Sequence, residues 1–171
     1  IMRECRDVIH ETILIGTMVE NEGVVMEQVL GSHPFKFSLD LGMRMPVHCA
    51  APCKAIVAFL PEGEKKQVLK SLKYTRYNEN TITTATGFKA ELKTVVEDGY
   101  ALDRAEQLHG AHCIAAPVFD QYGYPIAAIW TTGPSDRLKA ESFEELGKVI
   151  KQHADMISHR LGYDALNATP I

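Results

Sequence analysis

The sequence predicts an α+β domain in which an antiparallel sheet is covered by helices. A β-branched, apolar run at Thr12–Val19 is followed by a turn at Glu20-Asn21-Glu22-Gly23 and a second such run at 24–30, which reads as a hairpin. Three further strand-like runs follow one another late in the chain. Helical periodicities stand between and after these groups, and consecutive antiparallel strands with inserted helices lead to a helix-covered sheet.

In chain order, residues 2–10 read as the end of an amphipathic helix, with Met2, Cys5, Val8 and Ile9 on one face. After the hairpin a short strand is expected at 35–39, where Phe35 and Phe37 alternate with Lys36 and Ser38. Residues 44–48 read as a loop, and 51–60 as a helix with Pro52 in its first turn, where a missing N–H costs nothing. Pro61 stops it. Residues 62–72 form a short polar helix, and 74–86, rich in Thr and Asn, a loop. A helix over 87–98 turns Phe88, Leu92, Val95 and Val96 inward and closes at Gly99. Strands are predicted at 100–104, 113–119 and 124–132, the last two joined by a turn at Asp120-Gln121-Tyr122-Gly123. A long helix over 139–161 carries Phe143, Leu146, Val149, Ile150, Ala154, Ile157 and Leu161 at spacings of three or four.

Composition narrows the class. The 171 residues suit one domain with a sizeable core, and 46% hydrophobic with 23% charged residues is ordinary for a globular protein. A net charge of -4, with Lys and Arg scattered, lacks the basic footprint of nucleic-acid binding. No apolar stretch is long enough to cross a bilayer, and IMRECRDVIH is no signal peptide. The first residue is not Met, so the chain is expected to be a fragment of something longer. Four cysteines in a chain of this length make no disulfide framework, which points to a reducing, cytoplasmic setting.

Several segments resemble the effector-binding domain of the IclR family of transcriptional regulators. DLGMRMPVHCAAPCKAIVAFL at 40–60 is similar to the family's G-x-R-x-P-x-H-C-T-A-x-G-K-A block. GYALDRAEQLHGAHCIAAPVF at 99–119 and GYPIAAIWTTGPSDRL at 123–138 match two further blocks, and Thr81-Ile82-Thr83 a fourth. They fall in the family's order and span nearly the whole chain. The resemblance implies a GAF-like fold with a central antiparallel sheet of about six strands. It also implies a winged helix-turn-helix domain N-terminal to this chain, homodimers or homotetramers, a small-molecule effector, and DNA contact only through the missing domain. No cofactor, metal or membrane partner is implied.

The resemblance also assigns the candidate site. Ala51 and Pro52 align with the two backbone amides that hold a small acid's carboxylate at a helix N-terminus. Proline has no N–H, so one donor is gone, and either a compensating donor such as His48 or Arg44 or a larger ligand gaining from contact with Trp130 is expected. Asp103, otherwise a plain turn aspartate, and Cys113, otherwise an inert core thiol, align with the pocket. Trp130 and Thr132 share a face of the last strand because side chains alternate. The family has small hydroxyl residues at both positions, so Trp130, the only tryptophan, either shrinks the pocket or offers a flat face to an apolar ligand. Phe37 and Met45 match the apolar patch opposite and suit plain core equally well.

Two other classes compete. His48, Cys49, Cys53, His109, His112 and Cys113 invite a zinc reading, but no C-x-x-C pair is present and the structural reading is preferred. A cysteine- or metal-dependent enzyme would need a positioned base, and no G-x-S-x-G, H-E-x-x-H or H-x-E with P-C-x-x-C occurs. An oligomerisation domain without ligand is the other alternative.

Overall fold

The computed structural model describes residues 1–164. Its elements are α1 (Met2–Ile9), β1 (Thr12–Val19), β2 (Glu22–Val29), β3 (Arg44–Pro46), α2 (Ala51–Phe59), α3 (Glu62–Ser71), α4 (Ala85–Asp98), β4 (Ala101–Arg104), β5 (Ala111–Phe119), β6 (Pro125–Pro134) and α5 (Phe143–Arg160), the last entered through a 3₁₀ turn at Ala140–Ser142. The strands form one six-stranded sheet in the order β3-β2-β1-β6-β5-β4, with every neighbouring pair antiparallel. The predicted sheet and its helical cover are therefore present.

Each face of the sheet buries its own apolar layer. Leu14, Val25, Ala115, Ala128 and Trp130 pack with α2 and with Phe88, Leu92 and Val95 of α4. On the other face Ile13, Ile114, Ala116, Val118 and Ile129 meet Cys5 and Ile9 of α1 and Phe143, Ile150 and Ala154 of α5. Alternation along β1 and β6 produces this division, since neighbouring residues point to opposite faces. α2 is buried on nearly its whole circumference, as a helix apolar all round must be.

Four local expectations are corrected. Residues 35–39 form no strand: Thr12 Oγ1 donates to the Phe37 carbonyl at 2.6 Å, Arg137 to that of Phe35 at 3.0 Å, and Gln28 bonds both the N–H and the carbonyl of Leu39. Side chains thus take the backbone groups that a ladder would need. Arg44–Pro46, expected as loop, pairs with β2 instead, supported by an Arg44–Glu22 ion pair at 2.6 Å. Pro46 is tolerated because β3 is an edge strand. Val8 and Val96, expected inward, are exposed, their helices burying only the narrower stripes Cys5/Ile9 and Phe88/Leu92/Val95. Leu161 is exposed as well, lying one residue beyond α5.

One close approach fixes a residue on the α2 face. A Cβ on Gly16 would sit 2.3 Å from the Val24 carbonyl and 3.0 Å from Cη2 of Trp130. Here β2 bulges at Met26, between the pairs Ile15↔Glu27 and Gly16↔Val25, and only glycine leaves room for both the backbone and the indole.

Candidate functional site

Register brings three of the expected site residues into one row. Asp103 on β4 pairs with Cys113 on β5, which pairs with Thr132 on β6, which pairs with Thr12 on β1. Directly opposed residues share a face, and this row continues on the α2 face. The Cys113 thiol donates to Thr132 Oγ1 at 3.3 Å, and Asp103 Oδ1 accepts the Glu106 N–H at 2.8 Å. Asp103 and Thr132 are buried. Burial pushes the Asp103 carboxyl above its usual range, opposed by the Glu106 amide and by Lys54.

α2 points its N-terminus at this row. Its C-terminal Phe59 stacks edge-on against Phe119, with ring centroids 5.4 Å apart, at the far end of β5. The helix start therefore stands over the Cys113 end. No side chain caps it, and Pro52 lies in its first turn. Lys54 N–H reaches the Ala50 carbonyl, whereas the Ala51 and Cys53 amides take no acceptor from the preceding turn. Buried backbone amides without a partner are rare in folded proteins, and at a helix start they favour an anion. The compensating donors expected at His48 and Arg44 are engaged elsewhere. His48 Nε2 meets the Thr75 carbonyl at 2.9 Å and its ring stacks on Tyr77, while Arg44 pairs with Glu22.

The apolar candidates divide. Phe37 is half-buried and joined to the row through Thr12. Trp130 is only 1% exposed, and its ring tip lies on Gly16, whose strand partner is Ala128. The indole thus runs away from Thr132 along the core. Met45 sits on β3, at the opposite sheet edge from Asp103, where it meets Gly23. The structure therefore puts Asp103, Cys113 and Thr132 in one row, with Phe37 joined to it through Thr12, and packs Ala51, Trp130 and Met45 in the core layer of α2. A cavity of about 1170 Å³ at the other end of α2, near Phe59, Phe119 and Tyr124, includes none of the expected residues.

Three contributors escaped sequence reasoning: Thr12, Lys54 and Glu106. Lys54 is fully buried and pairs with Glu106 at 2.5 Å; it also donates to the Leu102 carbonyl at 2.8 Å and approaches Glu91 at 3.5 Å. The signal was available, since a lone lysine in the otherwise apolar APCKAIVAF has no exposed face to occupy. Nothing local marked Glu106 or Thr12.

The histidines of the zinc alternative take other partners. His112 Nδ1 meets the Leu138 carbonyl at 2.7 Å, His109 lies 3.6 Å from Glu79, and among the described residues no group of three or more His, Cys, Asp or Glu could hold an ion. Burial pushes the Cys49 and Cys53 thiols up to about 12 and raises Cys113 as well. Protonated thiols are poor nucleophiles.

The class of protein is defined by the fold together with its relatives. The family model for the bacterial transcriptional regulator IclR C-terminal domain matches residues 1–159, and the chain belongs to that family. It is 33% identical over 162 residues to the HTH-type transcriptional regulator KdgR of Escherichia coli K12, covering 95% of this chain and 62% of that protein. It thus spans about three fifths of that relative. The crystal structure of the Thermotoga maritima IclR superposes with a TM-score of 0.89 at 33% identity, over 95% of this chain and 66% of that one. The C-terminal domain of E. coli KdgR gives 0.84 at 33% identity, over 95% and 94%. The family and these relatives are transcriptional regulators, not enzymes. Among the described residues no helix is long and apolar enough to cross a membrane.

Proposed function

We propose that this chain is the effector-sensing domain of a cytoplasmic transcriptional regulator whose DNA-binding domain lies N-terminal to it. The effector is a small organic acid. Its carboxylate sits at the Ala51 and Cys53 amides beside Pro52, and its remaining polar groups meet Asp103, Cys113 and Thr132. Phe37 closes the side, with Trp130 and Met45 as the apolar layer behind. The observation that carries this reading is the uncapped start of α2, whose buried Ala51 and Cys53 amides find no backbone acceptor among the described residues, on the sheet face that holds the buried polar row. Binding then regulates by favouring one arrangement of the attached domains over another.

A thermal-shift screen of aliphatic and aromatic carboxylates tests it. An acid at about a hundred times its Kd adds roughly 2.7 kcal/mol of stability, on the order of 5–10 °C for a domain of this size. The gain should vanish in Asp103→Ala and Thr132→Val. A panel in which no acid raises Tm sinks the proposal.

Homodimers or homotetramers complete the reading. Met26, Phe35, Leu41 and Met43 are exposed along a stretch in which Gly42 and Met43 hydrogen-bond Val25. Apolar side chains gathered this way mark interfaces more often than free surface. Light scattering at micromolar protein should show a multiple of 19.0 kDa, and a purely monomeric species would refute it.

A further inference from the structure

Asp103 is not held by its own strand alone. The turn that carries it runs through Ala105, a non-glycine residue at φ 57°, and closes when the Glu106 N–H donates to Asp103 Oδ1. Such backbone is costly and persists only where the surroundings over-determine it. Glu106 supplies that constraint. One carboxylate oxygen takes Lys54 of α2, and Lys54 reaches on to the Leu102 carbonyl at the base of the same turn. The other oxygen, Oε2, is buried and has no hydrogen-bond partner among the described residues. An arrangement tuned for stability alone would not leave an acceptor orphaned, since that costs more than one hydrogen bond returns.

Lys54 stands three residues beyond Ala51 on α2. The helix that presents the open amides and the turn that presents Asp103 are therefore joined by one buried ion pair. We infer that Lys54 and Glu106 are positioning residues: they clamp the Asp103 turn against α2 and set the spacing between the two polar ends of the pocket. This rests on the reading of Asp103 and the α2 terminus as the effector site. Neighbouring groups cannot replace the pair. Glu91 of α4 reaches Lys54 only at 3.5 Å and is shared with Arg104 at 3.2 Å. Thr81 Oγ1 and Asn78 hold the carbonyls of Glu106 and Ala105 but touch neither Lys54 nor Asp103.

The test uses Lys54→Met/Glu106→Leu, in which apolar groups of similar size replace the pair and stability need not fall. Glu106→Gln, which keeps an acceptor for Lys54, is the conservative control. Amide hydrogen exchange at position 106 is read in all forms, alongside binding of acetate, lactate, succinate and benzoate. The double variant should keep the wild-type Tm, exchange the 106 amide at least about tenfold faster, and bind any acid the wild type binds about tenfold more weakly, the loss of one positioned hydrogen bond. Glu106→Gln should keep the amide protected. Full protection in the double variant would mean that Thr81 and Asn78 hold the turn, and the clamp is overturned. If the wild type binds none of the four acids, the effector reading loses support, and the exchange at position 106 still decides the clamp. Should the double variant not fold, protection in Glu106→Gln against its loss in Glu106→Ala decides the same point, and equal exchange in both refutes it.

Discussion

Trp130→Ala should cost the domain about 3–5 kcal/mol, the range for removing a large aromatic side chain from a packed core. The ring is 1% exposed, belongs to the layer between the sheet and α2, and rests on the one β1 residue without a side chain, Gly16. No small residue can refill that volume, because α2 is anchored at Lys54 and cannot settle onto the sheet. Urea unfolding with an unchanged m-value measures the loss directly. A variant that stays within about 1 kcal/mol of wild type and accepts a wider range of acids would show that the indole faces the ligand instead.

Lys54→Met should become severe as pH rises above neutrality, toward about 3–5 kcal/mol, because Glu106 must then ionise in a buried place without its cation. The loss depends on pH in a direction the site dictates. Burial already pushes the Glu106 carboxyl from 4.5 up to about 7, against the pull of Lys54. A carboxyl raised in the folded state contributes stability that is complete below its unfolded pKa and disappears as pH rises through the folded one. In the wild type this removes roughly 3 kcal/mol between about pH 4.5 and pH 7, at 1.36 kcal/mol per pKa unit. Without Lys54 the carboxyl rises further. The gap between variant and wild type should then be small near pH 5 and widest near pH 8. Unfolding curves across that range in which the gap is constant, or widens toward acid, would show that Glu106 is not the titrating partner.

Much of the fold was readable before any coordinates. Alternation and turn residues located five strands, β1, β2, β4, β5 and β6, because each strand's period and each turn's chemistry are local properties of a few consecutive residues. The helices were readable for the same reason, and the errors at Val8 and Val96 came from drawing their buried stripes too wide. The resemblance to the IclR family singled out Asp103, Cys113 and Thr132, which periodicity alone could not, and strand register sets these three in one row.

What only the tertiary structure decided concerns competition between distant partners. Residues 35–39 alternate like a strand, yet Thr12, Gln28 and Arg137 take their backbone groups, and the three-residue β3 takes the vacant edge. His48 and Arg44, which could have faced the α2 start, are drawn off by the Thr75 carbonyl and by Glu22. Trp130 reaches toward Gly16 and away from Thr132 because the missing side chain there leaves room for the ring tip. Glu106 carries no local signal: its importance arises from a lysine 52 residues earlier in the chain. Periodicity records which face a side chain takes. Which of two neighbours it leans on, and which buried charge it must answer, is settled only when the strands and helices close around it.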